Sequence, residues 1–393
     1  MKYFAVFGGG GIRGISYCGA YKALMEKEVE LSGLAGSSIG AVFASLLSLD
    51  YTFEEIFEIF SETGFGLFND FNLDLKNEIA FSKGQKFFDW IKNHIEAKFY
   101  GNDYQKGKMN PVKFSDIKKN LIIYAVDLNK MAFKEFSGLK TPDCEVAYAV
   151  RASVSMPGLF TPLVDENDPS CIVDGDLLKS TPLWRFCDTI KNSPDRILEF
   201  RLEDNAKKEN AFSPVEYINR VYNAFCGFAT DYIIDLYGKK DKFDYIKINT
   251  PDISVIDFLI SKQKKQELFD IGYNSTIDYF NNVLYKKRKD LFVKYKKILE
   301  FLLDFQRSFQ KNNYCNSYIK LCEMYVYLFD EKRYIDTTIQ EKLSDLKNLF
   351  FENYVKSSIF NLNRGSIKDK RKEIYSLLLD SVKLLTEKTE ELG

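Results

Sequence analysis

A single histidine, His94, serves the whole 393-residue chain. An imidazole base, and with it a Ser–His–Asp triad, therefore has one candidate. His94 lies in FSKGQKFFDWIKNHIEAKF, where Phe87, Phe88, Ile91 and Ile95 recur at helical spacing. It sits beside that inward stripe, on a segment unrelated to the glycine motifs described below, and reads as a surface or partly buried helical residue. Cysteine is also sparse. Its seven positions (18, 144, 171, 187, 226, 315 and 322) show no Cys-x-x-Cys spacing and no His/Cys cluster, so no metal or other cofactor is implied. The odd, irregular set fits a reducing compartment, with Cys18 and Cys171 as core thiols. No apolar run approaches the ~20 residues of a spanning helix. The net charge of −1 gives no case for nucleic acid. Only 9 prolines and 22 glycines argue against long disordered tracts. The N-terminus lacks a signal-peptide pattern, because Arg13 falls where the apolar region should continue.

What is present begins at the N-terminus. The apolar run Tyr3–Phe7 predicts a strand, breaks into Gly8 to Gly11, and is followed by a helical pattern. A strand, a glycine loop and a helix start favour negative charge, either a bound phosphate or an oxyanion formed during a reaction. Gly9-x-Gly11-x-x-Gly14 formally matches a dinucleotide fingerprint. That fingerprint wants an acid at the end of the second strand, but the run Leu31–Ala35 ends in Gly36. No Gly-Lys-Ser/Thr follows the glycines, which disfavours a P-loop.

The second run leads into Gly36-Ser37-Ser38-Ile39-Gly40, a Gly-x-Ser-x-Gly between strand and helix. A sharp strand–serine–helix turn needs small flanking residues and sets the hydroxyl at a helix N-terminus. The same five residues also suit an ordinary turn with an N-capping serine. A base is offered by the apolar run Cys171–Val173, followed by Asp174-Gly175-Asp176. Gly175 lets the chain turn at once, so Asp174 can project at the sheet edge. A plain Asp-Gly turn is the alternative.

Together the three motifs resemble the patatin-like phospholipase family. Its Gly-Gly-Gly-x-Arg-Gly appears as Gly9-Gly10-Gly11-Ile12-Arg13-Gly14, its serine motif as Gly36 to Gly40, and its Asp-Gly-Gly/Ala as Asp174-Gly175-Asp176. VKFSDIKKNLIIYAVDLN resembles the family's central strand, and AVRASVSMPGLFTPL its Ala-Ser-x-x-x-Pro-x-x-Phe-x-Pro stretch. Two positions depart from the pattern. Gly8 stands where many members carry Asp, and Asp176 where Gly or Ala is usual. A second carboxylate at 176 would either raise the pKa of Asp174 or face solvent.

The resemblance implies an α/β fold: a patatin-like three-layer sandwich with a central, mainly parallel sheet, plus an α-helical C-terminal region. It implies a Ser38–Asp174 dyad without histidine. The N–H groups of Gly10 and Gly11 would form the oxyanion hole, with Gly9, Ile12 and Gly14 shaping the loop. Arg13 would orient the loop or meet a lipid phosphate. The implied activity is lipid acyl hydrolysis of the phospholipase A type. A membrane- or protein-binding module without turnover, and a nucleotide-binding protein using the glycine loop, are the competing readings. Phospholipid or another lipid ester is the expected substrate, with peripheral membrane contact and scope for an activating protein partner. The expected place is the cytoplasm, or delivery as an effector without a classical signal peptide.

Residues 1–282 are expected to form the patatin-like domain, with 50–112, dense in phenylalanine, as a cap or lid over the site. Strands are expected at 121–127, 170–174, 196–203 and 245–250, a helical stretch at 214–237 and a closing helix within 251–281. Residues 283–393 read as a helical region of unknown role with a break at Asn361–Gly365. Lysines crowd 286–297, and Leu291, Tyr295, Ile298, Leu302, Phe305 and Phe309 recur at helical spacing. That pattern suits either a basic amphipathic surface for anionic lipid or a helical bundle packed in protein.

Overall fold

The computed structural model describes residues 1–62, 64, 70, 80–164, 170–177, 195–204, 242–250, 253, 259–332, 334–355 and 367–392. The helical stretch expected at 214–237, the break at Asn361–Gly365, much of the phenylalanine-rich segment 65–79, and Cys187 and Cys226 lie outside the described residues. The chain divides into two compact units, Met1–Asp235 with Lys242–Phe280, and Leu236–Asp241 with Asn281–Gly393.

The first unit opens with β1 (Lys2–Phe7), a 3-10 turn (Gly11–Ile15), α1 (Ser16–Glu26), β2 (Glu30–Ser37) and α2 (Ile39–Ser48). It continues through α3 (Phe53–Glu62), α4 (Gln85–Tyr100), β3 (Asn120–Asp127), β4 (Ala132–Ser137) and α5 (Val146–Ser153). Then come β5 (Leu163–Val164), β6 (Cys171–Val173), β7 (Arg196–Asp204), β8 (Phe243–Thr250) and α6 (Lys262–Asp278). The strands form one sheet in the order β5-β6-β3-β2-β1-β7-β8, with β4 also on β3. β1, β2, β3, β7 and β8 run parallel, while β4, β5 and β6 pair antiparallel. The fold class is the α/β architecture expected from the sequence.

β1 has parallel neighbours on both edges, β2 and β7. Its uninterrupted apolar run follows from that position: Tyr3 to Phe7 are all buried, as expected for a strand covered on both faces. Phe7 stacks on Phe200 of β7 at 5.2 Å and meets Tyr17 and Phe43 edge-on. These rings tie α1 and α2 to the centre of the sheet, beneath the glycine loop. α1 also lies against α6 with backbones in contact. A Cβ on Gly19 would fall 1.9 Å from the Phe269 carbonyl oxygen, and one on Gly272 1.8 Å from that of Ser16. Only paired glycines permit so close a crossing.

β4 and β5 were not anticipated. Each is short, antiparallel and partly exposed, so neither carries the continuous apolar run that marks the parallel strands. Cys18 is buried as expected, whereas Cys171 is only half-buried.

The second unit contains α7 (Leu284–Gln310), α8 (Tyr314–Glu331), α9 (Thr337–Phe350) and α10 (Ile367–Leu392). The α7 stripe of Leu291, Tyr295, Ile298, Leu302, Phe305 and Phe309 is fully buried with Leu321, Met324, Leu343, Phe350, Leu378 and Leu385 in the unit's own core. Phe309 touches Phe305, Tyr314, Phe350, Tyr354 and Tyr375. Of the two sequence readings, the packed bundle therefore accounts for this stripe. An apolar face consumed in a core is not available to lipid.

Candidate active site

β2 and β6 bring two side chains together through a shared partner. β4 pairs with β3 from Ile122 to Asp127. A strand residue has one neighbour per edge, so β2, paired at Gly33–Ser37, and β6, paired at Ile172–Val173, both occupy the opposite edge. β2 runs parallel to β3 and β6 antiparallel, so their C-terminal ends meet. Ser37 lies beside Tyr124, and Val173 beside Val126. The next residue of each strand is Ser38 and Asp174.

There the Ser38 hydroxyl donates to Asp174 Oδ2 at 2.7 Å. Ser38 has φ 52° and ψ −128°, a left-handed conformation a serine rarely adopts. Such strain costs on the order of 1–3 kcal/mol and persists only where surrounding structure enforces it. Ser38 is also the N-cap of α2, so its oxygen sits at the positive end of that helix. The turn depends on its glycines. A Cβ on Gly36 would lie 2.2 Å from the Gly40 carbonyl oxygen, and one on Gly40 2.1 Å from that of Phe7.

Asp174 is only 3 % exposed. Its N–H donates to the Ser155 carbonyl, and the Gly175 N–H to that of Ser153. Gly175 is fixed by the close approach of β3, since a Cβ there would fall 2.0 Å from the Tyr124 carbonyl oxygen. The Asp176 N–H donates to Asp174 Oδ1 at 2.7 Å, which orients the carboxylate and leaves Oδ2 toward Ser38. Ser153 joins the two turns: its hydroxyl accepts from the Ser38 N–H at 2.9 Å and donates to the Tyr124 carbonyl at 2.6 Å.

The glycine loop is held peptide by peptide. The Tyr17 hydroxyl donates to the Gly8 carbonyl at 2.8 Å. The Gly9 N–H donates to Asp176 Oδ1 at 3.1 Å. Arg13, 4 % exposed, donates through Nε to the Gly10 carbonyl at 3.2 Å and reaches Thr250 Oγ1. A peptide's N–H points opposite to its C=O, so gripping the Gly10 carbonyl aims the Gly11 N–H the other way. Gly10 and Gly11 have φ 153° and 58°, which a side chain would oppose. Ile12 is buried, and Gly14 lets the 3-10 turn rest on Ile39, whose Cγ1 would lie 2.4 Å from a Cβ. Burial and bonding favour the loop-orienting reading of Arg13.

Of the two sequence alternatives for Asp176, burial rules out the one that faced it to solvent. It is 5 % exposed, accepts from the Ser37 hydroxyl at 3.2 Å and pairs with Arg201 Nη1 at 3.1 Å. Arg201 in turn donates through Nε to Glu199 at 2.6 Å. Burial disfavours the guanidinium charge, but Glu199 and Asp176 outweigh it and raise the pKa of Arg201. His94 lies elsewhere, its ring edge-on to Trp90 at 5.2 Å and its pKa lowered by burial. Among the described residues no group of three or more His, Cys, Asp or Glu is arranged to hold a metal ion.

The sequence motifs thus meet in one place: Gly9 to Gly14, Gly36 to Gly40 and Asp174 to Asp176. Ser153, Tyr17, Glu199 and Arg201 were missed. One signal for the last two was present, a Glu and an Arg two residues apart inside RILEFRLE, between its terminal Arg196 and Glu203. Charges sharing one face of a central strand must be paired.

The chain is similar to several known proteins. An uncharacterized Bacillus subtilis protein, YqhO, is 27% identical over 311 residues, covering 75% of this chain and 99% of that protein. A probable lipid hydrolase, 463L of invertebrate iridescent virus 6, is 24% identical over 278 residues, covering 69% of this chain and 87% of that protein. The crystal structure of VipD from Legionella pneumophila has the same fold, with a TM-score of 0.52 at 15% identity, covering 98% of this chain and 91% of VipD. The sequence model of the patatin-like phospholipases matches residues 5–186, the segment that holds every motif of the site. That segment belongs to the patatin-like phospholipase family.

Proposed function

We propose that the protein hydrolyses carboxylic esters of lipids, phospholipids foremost, by a Ser38–Asp174 dyad. The observation that carries this reading is the 2.7 Å hydrogen bond from a strained serine at the N-terminus of α2 to a buried carboxylate. Asp174 Oδ2 takes the hydroxyl proton as Ser38 Oγ bonds to the ester carbonyl carbon. The oxyanion so formed is met by the N–H groups of Gly10 and Gly11, each such donor being worth roughly 3–4 kcal/mol. When the tetrahedral species collapses, Asp174 returns the proton to the departing alcohol and leaves an acyl-Ser38. Asp174 then takes a proton from water as the water oxygen attacks the acyl carbon. Breaking the acyl–Oγ bond, with that proton passed back to Ser38, releases the fatty acid. Aspartate is a weak base toward an alcohol, with a reference pKa near 3.9, so burial and the fixed 2.7 Å approach supply the advantage.

The family match and the iridescent-virus relative, a probable lipid hydrolase, support a lipid ester as substrate. Such esters sit at a membrane surface, so the protein meets membranes peripherally. No helix among the described residues is long and apolar enough to cross a membrane. The site residues all belong to the first unit, within residues 1–282. The second unit is proposed as a separate bundle, and an activating partner would show as turnover gained on its addition.

The test is fatty-acid release from phosphatidylcholine vesicles by the purified chain. Ser38→Ala is expected to release none above background. Equal release by wild type and Ser38→Ala would overturn the dyad.

A further inference from the structure

We infer that Asp176 and Arg201 are positioning residues that lock the oxyanion loop to the serine turn. This inference rests on the dyad reading. One carboxylate oxygen, Asp176 Oδ1, accepts from the Gly9 N–H, the Ser37 hydroxyl and Arg201 Nη1 at 3.1, 3.2 and 3.1 Å. Those donors come from the glycine loop, the residue before Ser38, and β7. Asp176 also donates its own N–H to Asp174. All three segments of the site therefore converge on a single side chain that does not contact Ser38 Oγ.

The surrounding glycines fit this pair. A Cβ on Gly9 would fall 2.7 Å from Asp176 Cγ, and one on Gly8 3.0 Å from Arg201 Cδ and Nη1. The Asp176 carboxylate and the Arg201 stem thus fill the space beside the first two glycines of the loop. Gly8 in place of Asp and Asp176 in place of Gly or Ala, the two departures from the family pattern, occupy the same cluster. The carboxylate stands on the turn, and the strand end is left open for the arginine.

The physical consequence concerns geometry. A charge-assisted acceptor on the Gly9 N–H, with Tyr17 on the Gly8 carbonyl of the same peptide, fixes the peptide preceding Gly9 and so anchors the entry to the loop that carries the next two N–H groups. Arg201 orients the carboxylate, and Glu199 holds Arg201 from the other side. Loosening this grip misplaces donors that act on the transition state more than on bound substrate.

The experiment compares wild type, Asp176→Asn and Arg201→Lys as full chains, with folding checked by thermal denaturation. The expected result is a kcat lowered about 10- to 100-fold with KM within about twofold. The affinity for a trifluoromethyl ketone, which forms a tetrahedral adduct with serine, should weaken by the same factor. The acid limb of the kcat–pH profile should stay where it is in wild type. A folded Asp176→Asn with unchanged kcat overturns the inference, as does a loss confined to KM. A shifted acid limb also overturns it, because Asp176 would then act on the base rather than on the loop. Should Asp176→Asn fail to fold, Arg201→Lys decides by the same readings. Failure of the dyad itself is distinguishable, because Ser38→Ala would then retain activity.

Discussion

Asp174→Asn lowers turnover by at least about 1,000-fold in a chain that remains folded. The side chain keeps its size, and an amide oxygen still accepts from the Asp176 N–H where Oδ1 now does at 2.7 Å. The other amide group becomes a donor facing Ser38, whose oxygen accepts instead of donating. The stability cost is therefore that of one rearranged buried hydrogen bond, about 1–2 kcal/mol. The chemistry suffers far more, because no group in contact with Ser38 can then take its proton. Base removal typically costs 100- to 10,000-fold, and members of one catalytic unit do not add. The double variant Ser38→Ala/Asp174→Asn is therefore expected to be no slower than Ser38→Ala alone. Steady-state kinetics with thermal denaturation checks both statements. Turnover within tenfold of wild type in Asp174→Asn would show that the base lies elsewhere.

Gly40→Ala carries a large expected stability loss, more than about 3 kcal/mol. Its Cβ would lie 2.1 Å from the Phe7 carbonyl oxygen and 2.6 Å from that of Gly8. Both are backbone atoms at the end of a central strand, so no side chain can swing away. Overpacking a well-packed site usually costs about 1–3 kcal/mol, and a rigid backbone neighbour puts this one above that range. The displacement also pushes β1 away from the serine turn, at the point where the glycine loop begins, so ester hydrolysis should vanish with it. Gly101→Ala is the control. Nothing lies within 4 Å of its Cβ, and only its φ of 56° opposes a side chain. That variant should lose about 1 kcal/mol and keep its activity. Equal small losses in both, read from denaturation midpoints, would contradict the close approach of α2 to β1.

The parallel core was legible because burial on both faces leaves a continuous apolar run. Tyr3–Phe7 and the run expected at 121–127 emerge as Lys2–Phe7 and Asn120–Asp127. The strand expected at 196–203, RILEFRLE, mixes charged and apolar residues instead and emerges as Arg196–Asp204. Ser38 and Asp174 were legible for a different reason. Each needs glycine at a fixed offset for the chain to turn beside another strand, and those offsets are local. β4 and β5 lacked such marks, being short edge pairings. Ser153 and Arg201 were hidden because their partners lie 115 and 25 residues away, a distance over which one sequence carries no pairing signal. Asp176 was visible, but its place next to a turn left solvent open as one of two readings, and only the arrival of β7 shows what it holds. Gly19 and Gly272 belong to the same class, two unremarkable glycines whose meaning appears when α1 and α6 cross.

The most direct test of the dyad is labelling of the intact protein by a fluorophosphonate. The reagent needs a nucleophilic serine and leaves a tetrahedral phosphonyl group whose oxygen occupies the oxyanion position. Wild type should be labelled on Ser38 with one adduct per chain, located by peptide mass analysis. Asp174→Asn should react at least about 100-fold more slowly and Ser38→Ala not at all. Running the reaction with and without phosphatidylcholine vesicles shows whether a lipid surface opens the site. Equal labelling of wild type and Ser38→Ala, or a folded wild type inert under both conditions, would contradict a competent Ser38–Asp174 centre.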